Sequence, residues 1–298
     1  SGMYSGGFLG IAQLLRMGLS ALLLAPCSRG DLSAVCAALS ASGTAAEIAL
    51  SLALAALYLA DRKRFCPAGE CGAALTPRML RIALPLASSA YARSALNTFR
   101  QLLVPRGLRL SGLSAESALA GYGVIQGMAM PIIGFPSCLL SAAAELMIPT
   151  LTEAQMRSDA AGIRRAVSSL LKLCAAFSVA AALILWRFGG ALGEAVYGSA
   201  EAGRFIRLLA PLVPIMYTDM VVDGCLKGLG QQVWSMGINI LDAALGVVLV
   251  WQLLPIGALT AYIGIIYFNE CLNFALSAAR LHRAVKKYAP APARNARV

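Results

Sequence analysis

The chain has little charge and almost no histidine. Charged residues make up 13% of its 298 residues, and His282 is the lone histidine. Soluble domains carry about 25% charged residues. With 59% hydrophobic residues and a mean hydropathy of +0.72, this chain is excluded from that class. Catalytic signatures are missing as well. There is no GxxxxGK, no HExxH and no nucleophile elbow, and "GYGVIQG" lacks the glycine spacing of a dinucleotide fingerprint. No enzymatic activity and no cofactor are therefore expected. The net charge of +11 comes without interleaved aromatic and basic residues, so nucleic acid is not an expected partner.

Cysteine is present but not arranged for metal. Cys27, Cys36, Cys138, Cys174, Cys225 and Cys271 lie in or beside apolar segments and read as small hydrophobes. Cys66 and Cys71 share the hydrophilic loop "CPAGEC" with no second pair or histidine nearby, so no metal site is expected. No basic stretch precedes the first apolar run, which is therefore not a signal peptide. A chain opening on Ser1 in this way reads as a fragment that begins partway through a larger protein.

What the chain does have is apolar length. Eight segments are long enough to cross a bilayer as helices: 4–25, 33–60, 79–104, 121–147, 166–190, 205–227, 233–254 and 257–281. Only helices fit, because in lipid each backbone polar group must be satisfied within its own segment. The expected fold is all-α, a polytopic transmembrane bundle. Turn chemistry punctuates it at "PCSRGD", "PRGLRLSG", "GSAEAG", "GLGQQ" and "LLPIG". Prolines 85, 131, 136, 211 and 214 fall inside segments and predict bends, either for packing or to line a cavity. Of the lysines and arginines, 16 fall on one set of alternate loops and the C-terminus, and 6 on the other. The richer side is expected to be cytoplasmic, with the basic tail "KKYAPAPARNARV" near anionic headgroups.

The three remaining cations, Arg16, Arg93 and Arg100, lie within apolar segments. A charge at the bilayer centre costs about 2.5–3.5 kcal/mol on insertion scales, so each such residue faces protein or water and is a site candidate. Arg93, Asn97 and Arg100 share a helical face by i, i+4, i+7 spacing. The planar guanidinium fork suits phosphate oxygens, so these residues with Arg16 form a candidate phosphate-binding set. The bland alternative is internal pairing with acids on other helices. Those acids are Glu47, Asp219, Asp223, Asp242 and Glu270, with Asn239, Asn269 and Asn273 alongside. Asp219, Asp223 and Lys227 stack four residues apart on one helix, and segments seven and eight bring the others to overlapping depth. This polar layer reads first as a clamp fixing helix register. In it Lys227 pairs with Asp223 or reaches water, and Asp219 is met by Asn239, by Asn273 or by a carboxylate that shares a proton with it. A proton-coupling site is the rival reading.

Two blocks carry a family resemblance. "LNTFRQLLVPRGLRLSGLSAESALAGYGVIQGMAMPIIGFPSCLLSAAAELMIPTLTEA" and "LAPLVPIMYTDMVVDGCLKGLGQQVWSMGINILDA", the latter followed by "YFNECLNFALSAARLHRAV", resemble the stage V sporulation protein B-like polysaccharide-exporter family. That family sits in the MATE-like superfamily of multidrug, oligosaccharidyl-lipid and polysaccharide exporters. The resemblance implies two six-helix lobes around a central cavity and alternating access. It implies a lipid-linked saccharide as substrate, the peptidoglycan precursor included, and a multi-pass location in the bacterial cytoplasmic membrane with the C-terminus inside. Residues 1–60 would be the last two helices of the N-lobe and 61–78 a cytoplasmic loop. Residues 79–283 would be the six-helix C-lobe and 284–298 the tail. The remaining N-lobe helices would be the fragment's missing partner. Where relatives often carry an acid shortly before the first arginine, this chain has Gln13. A cation-coupled multidrug exporter and a non-transporting membrane paralogue are the alternatives.

Overall fold

The computed structural model describes residues 32–65, 75–112, 114–157 and 159–287, with isolated positions 18 and 21. Among the described residues every element is helical. We number the α-helices α1 Leu32–Phe65, α2 Leu75–Leu110, α3 Ala115–Gly123, α4 Met130–Gly134, α5 Ser137–Met156, α6 Ala160–Tyr197, α7 Ala200–Leu209, α8 Val213–Gly228 and α9 Gln232–Lys287. A π-helical turn, Val124–Ala129, joins α3 to α4, and a 3-10 turn, Ala210–Leu212, joins α7 to α8. The chain divides into one unit of residues 1–80 and a second of residues 81–298.

Local chemistry sets the helix ends. Ser114, Asp159 and Ser199 are N-caps, each accepting a hydrogen bond from the backbone N–H three residues on. Gly198 ends α6 at φ 61°, a left-handed C-cap that returns its N–H to the last carbonyls of the helix. Proline marks the irregular stretches. Pro131 follows the π turn, Pro136 sits in the break between α4 and α5, and Pro211 lies in the 3-10 turn before α8.

Five helices among the described residues are long and apolar enough to cross a membrane: Ser40–Leu57, Glu116–Gly134, Ala160–Tyr197, Ala200–Gly228 and Gln232–Lys286. The expected count of eight differs for physical reasons. Segment 4–25 lies outside the described residues. Segment 79–104 is helical within α2, but its arginines and small polar residues keep it less apolar than the others. Segment 121–147 belongs to a longer run, 115–156, broken at Phe135–Pro136. The last two segments are one continuous assignment broken at Ala258, whose φ of 49° interrupts the helix. The arms of α9, 232–257 and 259–287, are thus the last two expected segments, folded back so that Trp234 meets Arg280. The break falls three residues beyond Pro255 in "LLPIG". A turn also moved: the helix runs through Pro105 to Leu110 and reverses at Gly112, φ 97°.

In the second unit the dry core lies among α5, α6, α7 and α8, with Leu151, Ile163, Cys174, Ile206, Tyr217, Val221, Cys225 and Leu226 buried. Cys174 and Cys225 fill space as the sequence suggested, and Cys138 and Cys271 are exposed free thiols. Large apolar side chains such as Phe135, Leu146, Trp251 and Ile256 point outward. So much exposed apolar surface on a helical bundle is a lipid-facing surface.

Candidate functional site

α8 packs its apolar face, Val221, Val222 and Cys225, into the core. The same helical period turns Asp219 and Asp223 the other way, towards α9. There a polar cavity of about 320 Å³ opens within the second unit. Its wall combines Arg93, Asn97 and Arg100 from α2 with Asp219 and Asp223 from α8. The first arm of α9 adds Asn239 and Asp242, and the second adds Asn269, Glu270 and Asn273. The basic face and the acidic layer found separately in the sequence therefore border one space.

The cations and acids of this wall feel each other without closing into pairs. Arg100 and Arg93 both act electrostatically on Asp242. Yet among the described residues the ion pairs within 4.0 Å are Arg157–Glu153 and Lys227–Asp223. Internal pairing, the bland reading of the arginines, is thus not how they are held.

Asp223 is fully engaged. Lys227 Nζ lies 2.7 Å from its Oδ2, and Ser235 Oγ donates to Oδ1 across the α8–α9 turn. Asp219, one turn deeper, receives a 2.7 Å hydrogen bond on Oδ2 from Asn273 Nδ2. Its Oδ1 has no partner at hydrogen-bonding distance and angle, though the buried Ser277 hydroxyl stands near the carboxylate and the residue is only 8% exposed. Oδ1 of Asp242, Oδ1 of Asn273 and both side-chain polar atoms of Asn269 are buried in the same condition. Buried polar atoms without partners cost free energy unless water or a ligand meets them. Five such atoms around one cavity make it the candidate site.

The candidate residues fall out as follows. Arg93, Asn97, Arg100, Asp219, Asp223, Asn239, Asp242, Glu270 and Asn273 all border the cavity. Lys227 does not, and is turned to Asp223. Asn239 was an expected donor to Asp219, but it donates instead to the Ser235 carbonyl of its own helix, 2.9 Å away. Arg16 lies outside the described residues, and Glu47 is exposed on α1 in the first unit. Three contributors escaped the sequence reading. Gln126, in the π turn, donates 2.6 Å to Tyr262 Oη, and both border the cavity. Ser235 holds Asp223. Gln126 carried a signal: it is an amide inside an apolar segment, in the glycine-rich "GYGVIQG" set aside as a failed nucleotide motif. A π turn commonly marks such sites.

Residues 107–252 match the family model MatE. Sporulation protein YkvU of Bacillus subtilis (strain 168) is 24% identical over 165 residues, 53% of this chain and 37% of the relative. Stage V sporulation protein B of the same organism is 23% identical over 168 residues, 56% of this chain and 32% of the relative. The chain thus spans about a third of the length of the curated relatives it matches. No solved structure matches it with significance.

Proposed function

We propose that this chain, which carries a MatE domain over residues 107–252, is part of a membrane flippase or exporter that moves a lipid-linked saccharide by alternating access. Helical runs 75–110, 115–156, 160–197, 200–228 and the two arms of α9 supply the six passes of its C-terminal lobe. The observation that carries the reading is the shared cavity, in which Arg93 and Arg100 stand opposite a carboxylate wall with no ion pair among the described residues. Two guanidiniums seven residues apart on one helix offer forked donors to a pyrophosphate. Asn97 adds an amide between them. The acids beside the arginines let the anion leave, since an anion held only by cations would be released slowly. By the loop charge bias the C-terminus is cytoplasmic, in a bacterial plasma membrane, with the basic tail at anionic lipid.

The test is translocation of a lipid-linked saccharide precursor by the full-length protein in vesicles. Replacing both arginines, Arg93→Gln and Arg100→Gln, abolishes translocation while membrane insertion survives. Transport that persists in the double variant makes the arginines structural.

A second reading has its own observation. The bare oxygens of Asp219 and Asp242 and the unpartnered Asn269 form a layer that could load a proton or another cation, as a cation-coupled exporter requires. Transport measured against pH separates the two. A saccharide flippase leaves the pH profile of Asp219→Asn and Asp242→Asn unchanged, whereas a coupling site loses its pH dependence.

A further inference from the structure

A second concavity of about 510 Å³ lies on the other side of the second unit, between the start of α6, α8 and the end of α9. Its size is within the roughly 300–1,000 Å³ usual for ligand sites. Its floor is apolar, built on Leu171, Phe274 and Leu281, and it shares no residue with the polar cavity. Its rim holds Arg164, Lys172 and His282, and no acid lines it.

The rim is not an accident of scattered surface charge. Arg164 and Lys172 are eight residues apart on α6, so they lie on one flank, about 12 Å apart along the axis. The lysine's long stem lets its ammonium lean back towards the arginine's end. His282 faces them from α9, near the end of that helix. All three side chains are exposed, and among the described residues none makes an ion pair within 4.0 Å. Two cations and an imidazole above an apolar trough complement one shape of molecule, with a negative head and a hydrocarbon tail. Simple charge would need no trough, and a neutral lipid would need no cations.

We propose that an anionic glycerophospholipid occupies this groove, an acyl chain along Leu171, Phe274 and Leu281 and its phosphate on Arg164, Lys172 and His282. The loop charge bias places the site in the inner leaflet, where anionic headgroups are dense. The site is separate from the saccharide cavity and does not depend on that reading.

The experiment is native mass spectrometry of the delipidated full-length protein, titrated with phosphatidylglycerol or with phosphatidylcholine of the same chains. One phosphatidylglycerol is retained, in preference to phosphatidylcholine. Arg164→Gln with Lys172→Gln weakens that retention about thirtyfold, in line with the contribution of two cations near anionic headgroups. The distant exposed pair Arg106→Gln with Arg109→Gln leaves it unchanged. Ala278→Trp, which fills the trough and spares the cations, lowers retention of both lipids. Equal retention of the two lipids overturns the proposal, as does full retention in the Arg164/Lys172 variant. Competition by soluble glycerol phosphate as effective as by lipid reduces the groove to an anion site and also overturns it. The glutamine variant changes only exposed side chains, so it reads out even if the tryptophan variant fails to fold.

Discussion

The two sides of the second unit are built on opposite principles. Where α6 meets α7 the helices touch backbone to backbone. A Cβ placed on Gly193 would lie 2.3 Å from the Gly203 nitrogen, and one on Gly203 would lie 2.8 Å from the Gly190 Cα. Small residues at such crossings let membrane helices gain dispersion contacts where no hydrophobic drive exists. On the other side, α2 and the two arms of α9 stand apart and enclose polar side chains, several without partners. α8 belongs to both sides, dry along Val221 and Cys225 and wet along Asp219 and Asp223. The dry side supplies a rigid wall against which a wet side can stay open. The same division runs along α8 itself, between Asp223, closed by Ser235 and Lys227, and Asp219, left with one open oxygen.

Substitutions sharpen that contrast. Gly193→Ala, on the dry side, drives a methyl into backbone and destabilises the protein by about 3 kcal/mol, the upper end of overpacking costs. The measurement is thermal unfolding in detergent, and a melting temperature near wild type would deny that the helices are in contact. Asp223→Ala strands the buried hydroxyl of Ser235 and costs about 1–2 kcal/mol, with transport per folded molecule retained. Trp234→Leu removes the ring that lies 4.3 Å from the Arg280 guanidinium, where the start and the finish of α9 meet. It costs about 0.5–1 kcal/mol, visible as a small shift in the same melt. Asp219→Asn has the smallest stability effect, about 0.6 kcal/mol, because the amide still accepts from Asn273. Its effect belongs to transport, which falls while the melt barely moves. A large loss of stability there would make Asp219 as architectural as Asp223.

Much of this was legible in the residues. Helical class followed from apolar length, and the shared face of Arg93, Asn97 and Arg100 followed from spacing. The Lys227–Asp223 pair was visible because i, i+4 geometry is local. What the spacing could not give was the third dimension. Nothing in one helix says that Arg100 and Asp242 face the same space, since that depends on how α2 and α9 cross. Asn239 was misjudged for a related reason. Its amide had a closer acceptor one turn back on its own helix than any across the interface. Gln126 was hidden because a π turn shifts the helical register by a residue, so counting by 3.6 puts it on the wrong face.

The central claim is that the unpaired arginines of the wet side hold the phosphate of the substrate. The most direct measurement is equilibrium binding of a polyprenyl-pyrophosphate-linked saccharide to the purified full-length protein, wild type against Arg93→Gln/Arg100→Gln. Losing two charge-assisted hydrogen-bonding groups at about 1.5–3 kcal/mol each predicts an affinity at least a hundredfold weaker. The variant's melting temperature should stay close to wild type, because among the described residues neither arginine is held in an ion pair. Undiminished binding by a folded double variant would contradict the account.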